Sequence, residues 1–233
     1  MSSRQTQGFT LVEIAIALII IGLLLGSILR ASELITSARV RGLISQQDGI
    51  RAAYYGFLER FREIPGDYSQ ATFNIAGATQ NGNGNGQIEI STAPNETILA
   101  WEHLSRAGFL AGNYTYNATE SDTTSPKNRY GIYLQLVYDG NYGGGTVATP
   151  NPLMHNIKSG SQIPVEIVAE MDRKIDDGAP NAGTFQFSRY QGNGSAAPTD
   201  GTTAAPACTS ATTPTGIWNS TNGSSNCGGA SLL

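Results

Sequence analysis

The pattern of hydrophobic and polar positions divides this chain into one long apolar segment and a mixed remainder. Residues 9–29 are almost unbroken in their apolar character, and Glu13 is the one charged side chain among them. A helix of about 20 apolar residues, at 1.5 Å per residue, crosses the roughly 30 Å hydrocarbon core of a bilayer. The pattern therefore predicts a transmembrane helix over residues 9–29.

The carboxylate of Glu13 is the unusual feature of this segment. A charged group in the hydrocarbon costs at least about 2.5–3.5 kcal/mol, so we expect a positive partner for it. A secretory signal peptide is the first alternative, but its apolar core is shorter and is followed by an Ala-x-Ala-like site, which Ser27–Ala31 does not resemble. A plain membrane anchor, the second alternative, has no need of Glu13.

The apolar positions continue beyond the membrane segment at spacings of three and four, which is the pattern of an amphipathic helix. These positions are Val40, Leu43, Ile44, Gln47, Ile50, Tyr54, Phe57, Leu58 and Phe61. Pro65-Gly66 predicts that the helix ends at Ile64. We expect residues 30–64 to extend the transmembrane helix and to pack against a globular domain formed by residues 65–233.

Shorter patterns predict the elements of that domain. Apolar spacing indicates helices over Glu96–Leu110 and Ser161–Asp176, and alternation indicates strands over Tyr130–Tyr138 and Thr184–Tyr190. Thr146–Thr149 is expected to form a short partner strand.

Composition restricts the function classes. The chain has 28 glycines, only 14% charged residues and a net charge of −4, which is typical of a loop-rich extracytoplasmic domain. No basic block indicates nucleic-acid binding. The sequence also has no nucleophile-elbow motif, no paired metal-ligand histidines and no phosphate loop, so we predict no enzymatic activity. The tail from Gln191 is rich in small and polar residues, and we expect it to contribute little core.

Residues 7–13, Gln-Gly-Phe-Thr-Leu-Val-Glu, follow a short polar stretch with one basic residue, Arg4. This arrangement resembles the processing site of type IV prepilins and of the related pseudopilins. The resemblance implies that a prepilin peptidase cuts after Gly8 and that the new N-terminal residue, Phe9, is methylated. It also implies that Glu13 pairs with the free amine of a neighbouring copy during assembly.

The same resemblance implies an α+β, pilin-like fold, in which a long N-terminal helix packs on an antiparallel β-sheet with additional helices and a C-terminal disulfide loop. Residues 1–8 are then a leader peptide. The implied partners are copies of the chain and other pilins, the prepilin peptidase, the inner-membrane assembly machinery and, before assembly, the lipid bilayer. The precursor is expected to cross the inner membrane once, with its domain in the periplasm, and to reach a surface filament after assembly.

Three function classes remain open at this stage. The first is a type IV pilin-like subunit of a surface filament that takes part in cell adhesion. The second is a pseudopilin of a type II secretion system, and the third is a membrane-anchored binding protein that does not polymerise. Extended loops and two C-terminal cysteines favour the first class.

Two further features bear on the helix. Many pilins have a proline, which kinks the helix, where this chain has Arg30, so the resemblance does not extend to this position. Gly22 and Gly26 have the GxxxG spacing that lets membrane helices approach closely.

A second resemblance covers Pro65-Gly66-Asp67 and Trp101–Leu104, which are similar to segments of a subset of pilin-like proteins. We interpret His103, within the second segment, as a packed or capping residue rather than a ligand.

The loop of residues 81–89, which lies between these two segments, suggests a calcium site. Asn81, Asn83 and Asn85 place oxygen ligands at the first, third and fifth positions of an EF-hand-like loop, and Glu89 adds a carboxylate. The twelfth position is Thr92 rather than glutamate. Repeated Asn-Gly also forms ordinary tight turns, and we favour that interpretation; we commit to no cofactor.

A second calcium candidate is the acidic turn formed by Asp172, Asp176 and Asp177. It is similar to a turn of the same pilin-like subset. These carboxylates also serve as ordinary cap and turn residues, which is the interpretation we favour.

The two cysteines, Cys208 and Cys227, suit an oxidising compartment. The resemblance to pilins implies a disulfide between them, which would remove roughly 3 kcal/mol of unfolded-state entropy. Because such loops are exposed in many pilins, we expect Trp218 to lie at the surface.

Overall fold

The structure is a computed structural model that describes residues 10–90, 93–144, 148–201, 206–210, 216–221 and 223–233, with residue 29 described by its backbone alone. The chain divides into two compact units, Met1–Arg39 and Val40–Leu233.

Helix α1 (Leu11–Phe61) has 51 residues and passes through Arg30 without a break. It ends three residues before the predicted Ile64, because Arg62 adopts a left-handed backbone with φ of 58°. A residue in that conformation stops the helix and turns the chain, so the proline at position 65 is not what ends it.

Three short helices follow. They are α2 (Ala71–Asn74), α3 (Glu96–Arg106) and α4 (Val165–Ile175). The side chain of Asn95 caps α3 by accepting a hydrogen bond from the backbone N–H of Thr97 at 3.1 Å. Helix α4 starts directly after Pro164, whose fixed φ favours a helix start.

Four strands form one sheet. They are β1 (Gln135–Asp139), β2 (Met154–Lys158), β3 (Phe185–Phe187) and β4 (Gly229–Leu232). The order across the sheet is β1-β2-β4-β3, and every neighbouring pair is antiparallel. Together with the long helix and the disulfide, this sheet confirms the predicted α+β, pilin-like fold.

The predicted strand over Tyr130–Tyr138 was too long. Only its second half pairs with β2, because the backbone of Leu134 donates to Pro126 and Tyr133 pairs with Lys127 instead. The expected partner strand, Thr146–Thr149, lies partly outside the described residues, and the strand that pairs with β1 is β2.

The hydrophobic core has two clusters, both in the unit Val40–Leu233. The first surrounds Phe57 of α1 and includes Trp101 of α3 and Leu136 of β1. The second surrounds Val168 of α4 and includes Phe185 of β3. The predicted apolar stripe of α1 supplies both, and its buried members are Val40, Leu43, Gln47, Ile50, Tyr54 and Phe57.

The expectation that the tail from Gln191 adds little core was wrong. Strand β4 lies inside the sheet, between β2 and β3. Cys208 and Cys227 form the expected disulfide, with Cα atoms 5.6 Å apart, and both are fully buried. The tail therefore completes the sheet and closes the second core cluster.

The expected exposure of Trp218 was also wrong. Its side chain is 6% exposed and packs edge-on against Phe187, with ring centroids 6.3 Å apart. Its indole N–H donates to the carboxylate of Asp172 at 2.5 Å. A buried indole N–H needs a hydrogen-bond acceptor, and the carboxylate of Asp172 supplies it and so holds Trp218 in place.

Candidate functional site

The first candidate site is the N-terminal part of α1. Its large apolar side chains are exposed throughout, from Leu11 at 91% to Ile28 at 63%. The helix is long and apolar enough to cross a membrane, and none of the apolar window is buried within the chain. This surface therefore lacks a partner inside the described part of the molecule.

Glu13 lies in the first turn of α1. Its backbone N–H donates to the Thr10 carbonyl at 3.1 Å and to Thr10 Oγ1 at 3.3 Å. Thr10 thus has the position of an N-cap, and Thr10-Leu11-Val12-Glu13 has the sequence of a capping box. The sequence reasoning missed this cap, although Thr-x-x-Glu was the signal for it.

The carboxylate of Glu13 is exposed and has no hydrogen-bond or ion-pair partner among residues 10–90 or the later described ranges. The positive end of the helix dipole favours a carboxylate at this place, by about 0.3–1 kcal/mol at an exposed position. That gain is smaller than the cost of a charge in hydrocarbon. Gly8 and Phe9, the predicted cleavage and methylation residues, lie outside the described residues.

A shallow groove follows on the same segment. A methyl group added at Gly22 or Gly26 would meet nothing within 4 Å. The hydroxyl of Ser27 donates to the Leu23 carbonyl at 2.8 Å and so satisfies its hydrogen bonding within the helix. The groove is lined by Gly22, Leu23, Gly26, Ser27, Arg30, Ala31 and Leu34. Small residues in such an arrangement let a second helix approach closely.

The acidic turn after α4 brings its three carboxylates together. One oxygen each of Asp172, Asp176 and Asp177 lies within 4.8 Å of the others. Asp176 accepts from the backbone N–H of Phe185 at 2.9 Å, and Asp177 accepts from the backbone N–H of Ala179 at 2.9 Å. The turn carboxylates therefore have hydrogen-bonding roles within the turn, and the calcium alternative stays untested.

Burial, together with a hydrogen bond shared with Asp176, raises the pKa of Asp172 to about 8. Burial also acts to raise the pKa of Asp176, but the shared hydrogen bond and backbone N–H donors outweigh it and lower that pKa. Near neutral pH, Asp172 is accordingly the protonated member of a pair that shares one proton. A cation at this turn would compete with that proton.

The Asn-Gly loop is organised around a residue that the sequence reasoning did not select, Asp67. Its buried carboxylate accepts hydrogen bonds from the backbone N–H groups of Gly84 at 2.6 Å, Asn85 at 3.0 Å and Gly86 at 2.7 Å. Converging N–H groups of this kind form an anion-binding nest. The inside of the loop therefore presents donors, whereas calcium requires oxygen ligands.

A second buried carboxylate, Glu96, supports the same loop. It accepts from the backbone N–H groups of Asn83 at 3.0 Å and Glu89 at 3.1 Å. The side-chain amides of Asn83 and Asn85 both donate to Glu89, at 3.2 and 2.8 Å. Asn81 accepts from the backbone of Thr72 at 2.8 Å. Calcium at this loop, the alternative that the sequence did not favour, also stays untested.

His103 is fully buried, as a packed residue would be. Its Nδ1 accepts from the backbone N–H of Gly66 at 3.0 Å, so its Nε2 donates to the Gln80 carbonyl at 3.2 Å. Burial lowers the pKa of this imidazole. Both ring nitrogens are engaged, and neither is left for a metal.

One family model matches the chain, at residues 3–29, and its description is a prokaryotic N-terminal methylation motif. This is the prepilin-type cleavage and methylation segment, and it contains Gly8, Phe9 and Glu13. No curated protein and no solved structure matches the chain. The segment is typical of structural, pilin-like proteins rather than of enzymes and fits a membrane-anchored precursor.

Proposed function

We propose that this chain, which carries a prepilin-type N-terminal segment, is a type IV pilin-like structural subunit that is cut after Gly8, methylated at Phe9 and assembled into a surface filament. One observation carries the proposal. The matched segment contains the N-terminal part of α1, where the large apolar side chains from Leu11 to Ile28 are exposed and Glu13 is the single carboxylate.

The exposed apolar surface has to stay covered throughout assembly. Twelve large apolar side chains between Leu11 and Ile28 are exposed, and burying each one contributes about 1.5–3 kcal/mol. Exposing this surface to water would therefore cost roughly 20 kcal/mol or more in free energy. In the precursor, lipid covers the surface. Extraction from the membrane therefore requires neighbouring helices that cover the same surface, and the groove at Gly22 and Gly26 gives them a place for close approach.

Glu13 sets the axial register in this proposal. Cleavage after Gly8 creates an amine four residues before the carboxylate, in a medium that tolerates neither charge alone. A staggered neighbour brings the amine of one copy to the carboxylate of the next. The Thr10 cap fixes the first turn, so that the carboxylate projects from an ordered helix rather than from a frayed end.

The test compares two substitutions on the same helix. Glu13→Ala removes the carboxylate of the assembly segment, and Glu33→Ala removes an exposed carboxylate that lies beyond the predicted membrane segment. We expect both variants to enter the membrane fraction in normal amounts. Only Glu13→Ala is expected to be absent from filaments recovered by shear. Incorporation of both variants to the same extent would refute the register role.

Two further observations distinguish the other function classes. A secretion defect on deletion, without filaments that contain the chain, supports the pseudopilin of a type II secretion system. A detergent-soluble monomer that keeps its leader supports the non-polymerising membrane-anchored binding protein. Cell adhesion by the filaments is a further expectation of the pilin proposal.

A further inference from the structure

The Asn-Gly loop contains a chemical weakness. Residues 81–86 are three consecutive Asn-Gly pairs, and Asn-Gly is the dipeptide that deamidates most readily, because glycine leaves the following backbone nitrogen free to reach the asparagine side chain. Asn81, Asn83 and Asn85 are all exposed to water. The contacts of the loop explain why these Asn-Gly pairs are present although they deamidate readily.

The glycines are required by the backbone. A Cβ atom at Gly82 would lie 2.3 Å from the backbone of Asp67, which is a direct clash. Gly84 and Gly86 have φ of 74° and 84°, in the left-handed region that glycine adopts without strain. None of the three positions accepts another residue without distortion.

The asparagines are also required. The side-chain oxygen of Asn83 accepts from the backbone N–H of Asn85 at 2.9 Å, and that of Asn85 accepts from Gln87 at 2.9 Å. These two Asx turns bend the loop. Their side-chain N–H groups meanwhile hold Glu89. The fold therefore dictates asparagine followed by glycine and cannot avoid the labile pair.

We propose that Asp67 controls deamidation of this loop. Asn83 and Asn85 stay intact while the carboxylate of Asp67 accepts hydrogen bonds from the glycine N–H groups, and they deamidate when that contact is lost. Gly84 donates to Asp67 Oδ1 at 2.6 Å and shares this N–H with the backbone carbonyl of Asp67 at 2.9 Å, whereas Gly86 donates to Asp67 Oδ2 at 2.7 Å. These are the two nitrogens that would attack.

The reaction needs only water. The glycine nitrogen loses its proton to a base and attacks the asparagine Cγ, so a C–N bond forms and ammonia leaves with the side-chain nitrogen. The resulting succinimide is opened by one water molecule, which yields aspartate or isoaspartate. No oxidant or reductant takes part, and the net change replaces NH₂ with OH.

The carboxylate opposes the first step electrostatically. Deprotonating an amide whose hydrogen bond ends on a carboxylate places a second negative charge beside the first. A hydrogen bond to a charged group is stronger than a neutral one, which corresponds to about 10- to 100-fold slower attack. Asp67 is 1% exposed, so water screens this effect little.

The first Asn-Gly pair, Asn81-Gly82, provides an internal comparison. Gly82 donates to the carbonyl of Tyr68 at 3.0 Å, which is a neutral acceptor. Asn193-Gly194 is a similar case elsewhere, since Gly194 donates to the carbonyl of Gln191 at 3.1 Å. In the native chain, Asn83 and Asn85 should therefore deamidate more slowly than Asn81.

Deamidation that follows loss of the Asp67 contact is irreversible and changes the charge of the loop. A carboxylate at position 83 or 85 no longer donates to Glu89 and instead repels it. The loop would also gain charged oxygens at the positions where an EF-hand-like loop carries them. Deamidation thus records that the loop has opened and replaces a donor-lined interior with an acidic one.

The experiment uses the full chain in detergent, incubated at mildly alkaline pH and compared with a synthetic peptide of residues 78–90. Trypsin cuts after Arg62 and Arg106, and mass spectrometry of that fragment assigns aspartate and isoaspartate to each position. We expect the wild-type chain to deamidate at Asn83 and Asn85 about 10-fold or more slowly than the peptide. Equal rates in chain and peptide would overturn the proposal without any variant.

Two variants separate the carboxylate from general rigidity. Asp67→Asn removes the charge that holds the glycine nitrogens, whereas Glu96→Gln removes the neighbouring buried charge, which holds Asn83 and Glu89 by their N–H groups. Asp67→Asn should accelerate deamidation at Asn83 and Asn85 by about 10-fold, and Glu96→Gln should leave those two rates near wild type.

The other asparagines show whether the acceleration is specific. In the Asp67→Asn variant, the rates at Asn81 and Asn193 should change little. If Asp67→Asn and Glu96→Gln accelerate all positions equally, the protection comes from general order in the loop, and the assignment to Asp67 is wrong.

Discussion

Replacing Asp172 with asparagine should stabilise the protein at alkaline pH, although it removes a buried hydrogen-bonded acid. The side chain of Asp172 is fully buried and accepts from the indole N–H of Trp218. Asparagine has the same shape, and its oxygen accepts from Trp218 while its N–H donates to Asp176. It keeps these two hydrogen bonds of the protonated acid and cannot ionise, and it loses only the long hydrogen bond from the Gly178 N–H to Asp172 Oδ1 at 3.2 Å.

The magnitude follows from the pKa of Asp172, which rises from 3.8 in the unfolded chain to about 8 in the fold. Its stabilising contribution is fully present below pH 3.8, declines as the pH rises, and is lost above about 8. The full shift corresponds to at most about 6 kcal/mol. The lowered pKa of Asp176 acts in the opposite direction, and water reaches the turn, so we expect a net effect of about 2–3 kcal/mol.

The assay is denaturant unfolding of the detergent-solubilised chain with its disulfide intact, followed by tryptophan fluorescence. Near pH 4 the Asp172→Asn variant and wild type should have similar free energies of unfolding; near pH 8.5 the variant should be more stable by about 2–3 kcal/mol, or roughly 5–10 °C in melting temperature. Subtracting wild type from variant cancels the other titrating groups. Asp177→Asn, in the exposed part of the turn, is the control and should show no such difference. A variant that is less stable than wild type at both pH values would refute the shared-proton account.

Two further predictions concern stability. Cys208→Ser with Cys227→Ser should lower the free energy of unfolding by about 3 kcal/mol, measured by denaturant titration, and an unchanged midpoint would show that the buried tail is held by packing alone. Burial lowers the pKa of His155 to about 4 from 6.5, so its contribution is present above pH 6.5 and is lost as the pH falls toward 4. His155→Phe, packed between the rings of Tyr54 and Tyr138, should therefore flatten the acid limb of the stability curve by about 1 kcal/mol, and an unchanged acid limb would contradict this.

Long periodic patterns were readable from the sequence, and short or non-local features were not. The stripe from Val40 to Phe57 predicted the buried side of α1, because three- and four-residue spacing persists over several turns. Strand β4 was missed because Gly229–Leu232 has only four residues, three of them small. Its place inside the sheet depends on β2 and β3, which lie far away in sequence.

The candidate sites were predicted in part for the same reason. Residues 7–13 form a local motif, so it could be recognised without a structure. The hub of the Asn-Gly loop is Asp67, which lies 17 residues before Gly84, and the partner of Trp218 is 46 residues away, at Asp172. No spacing rule connects such pairs, because folding rather than periodicity brings them together.

The measurement that tests the central claim most directly is the intact mass and N-terminal sequence of the chain purified from membranes. The account predicts a chain that begins at Phe9, carries one added methyl group and contains a disulfide between Cys208 and Cys227. A chain that retains Met1, or that begins at any residue other than Phe9, lacks the amine that Glu13 requires and would contradict the proposed assembly.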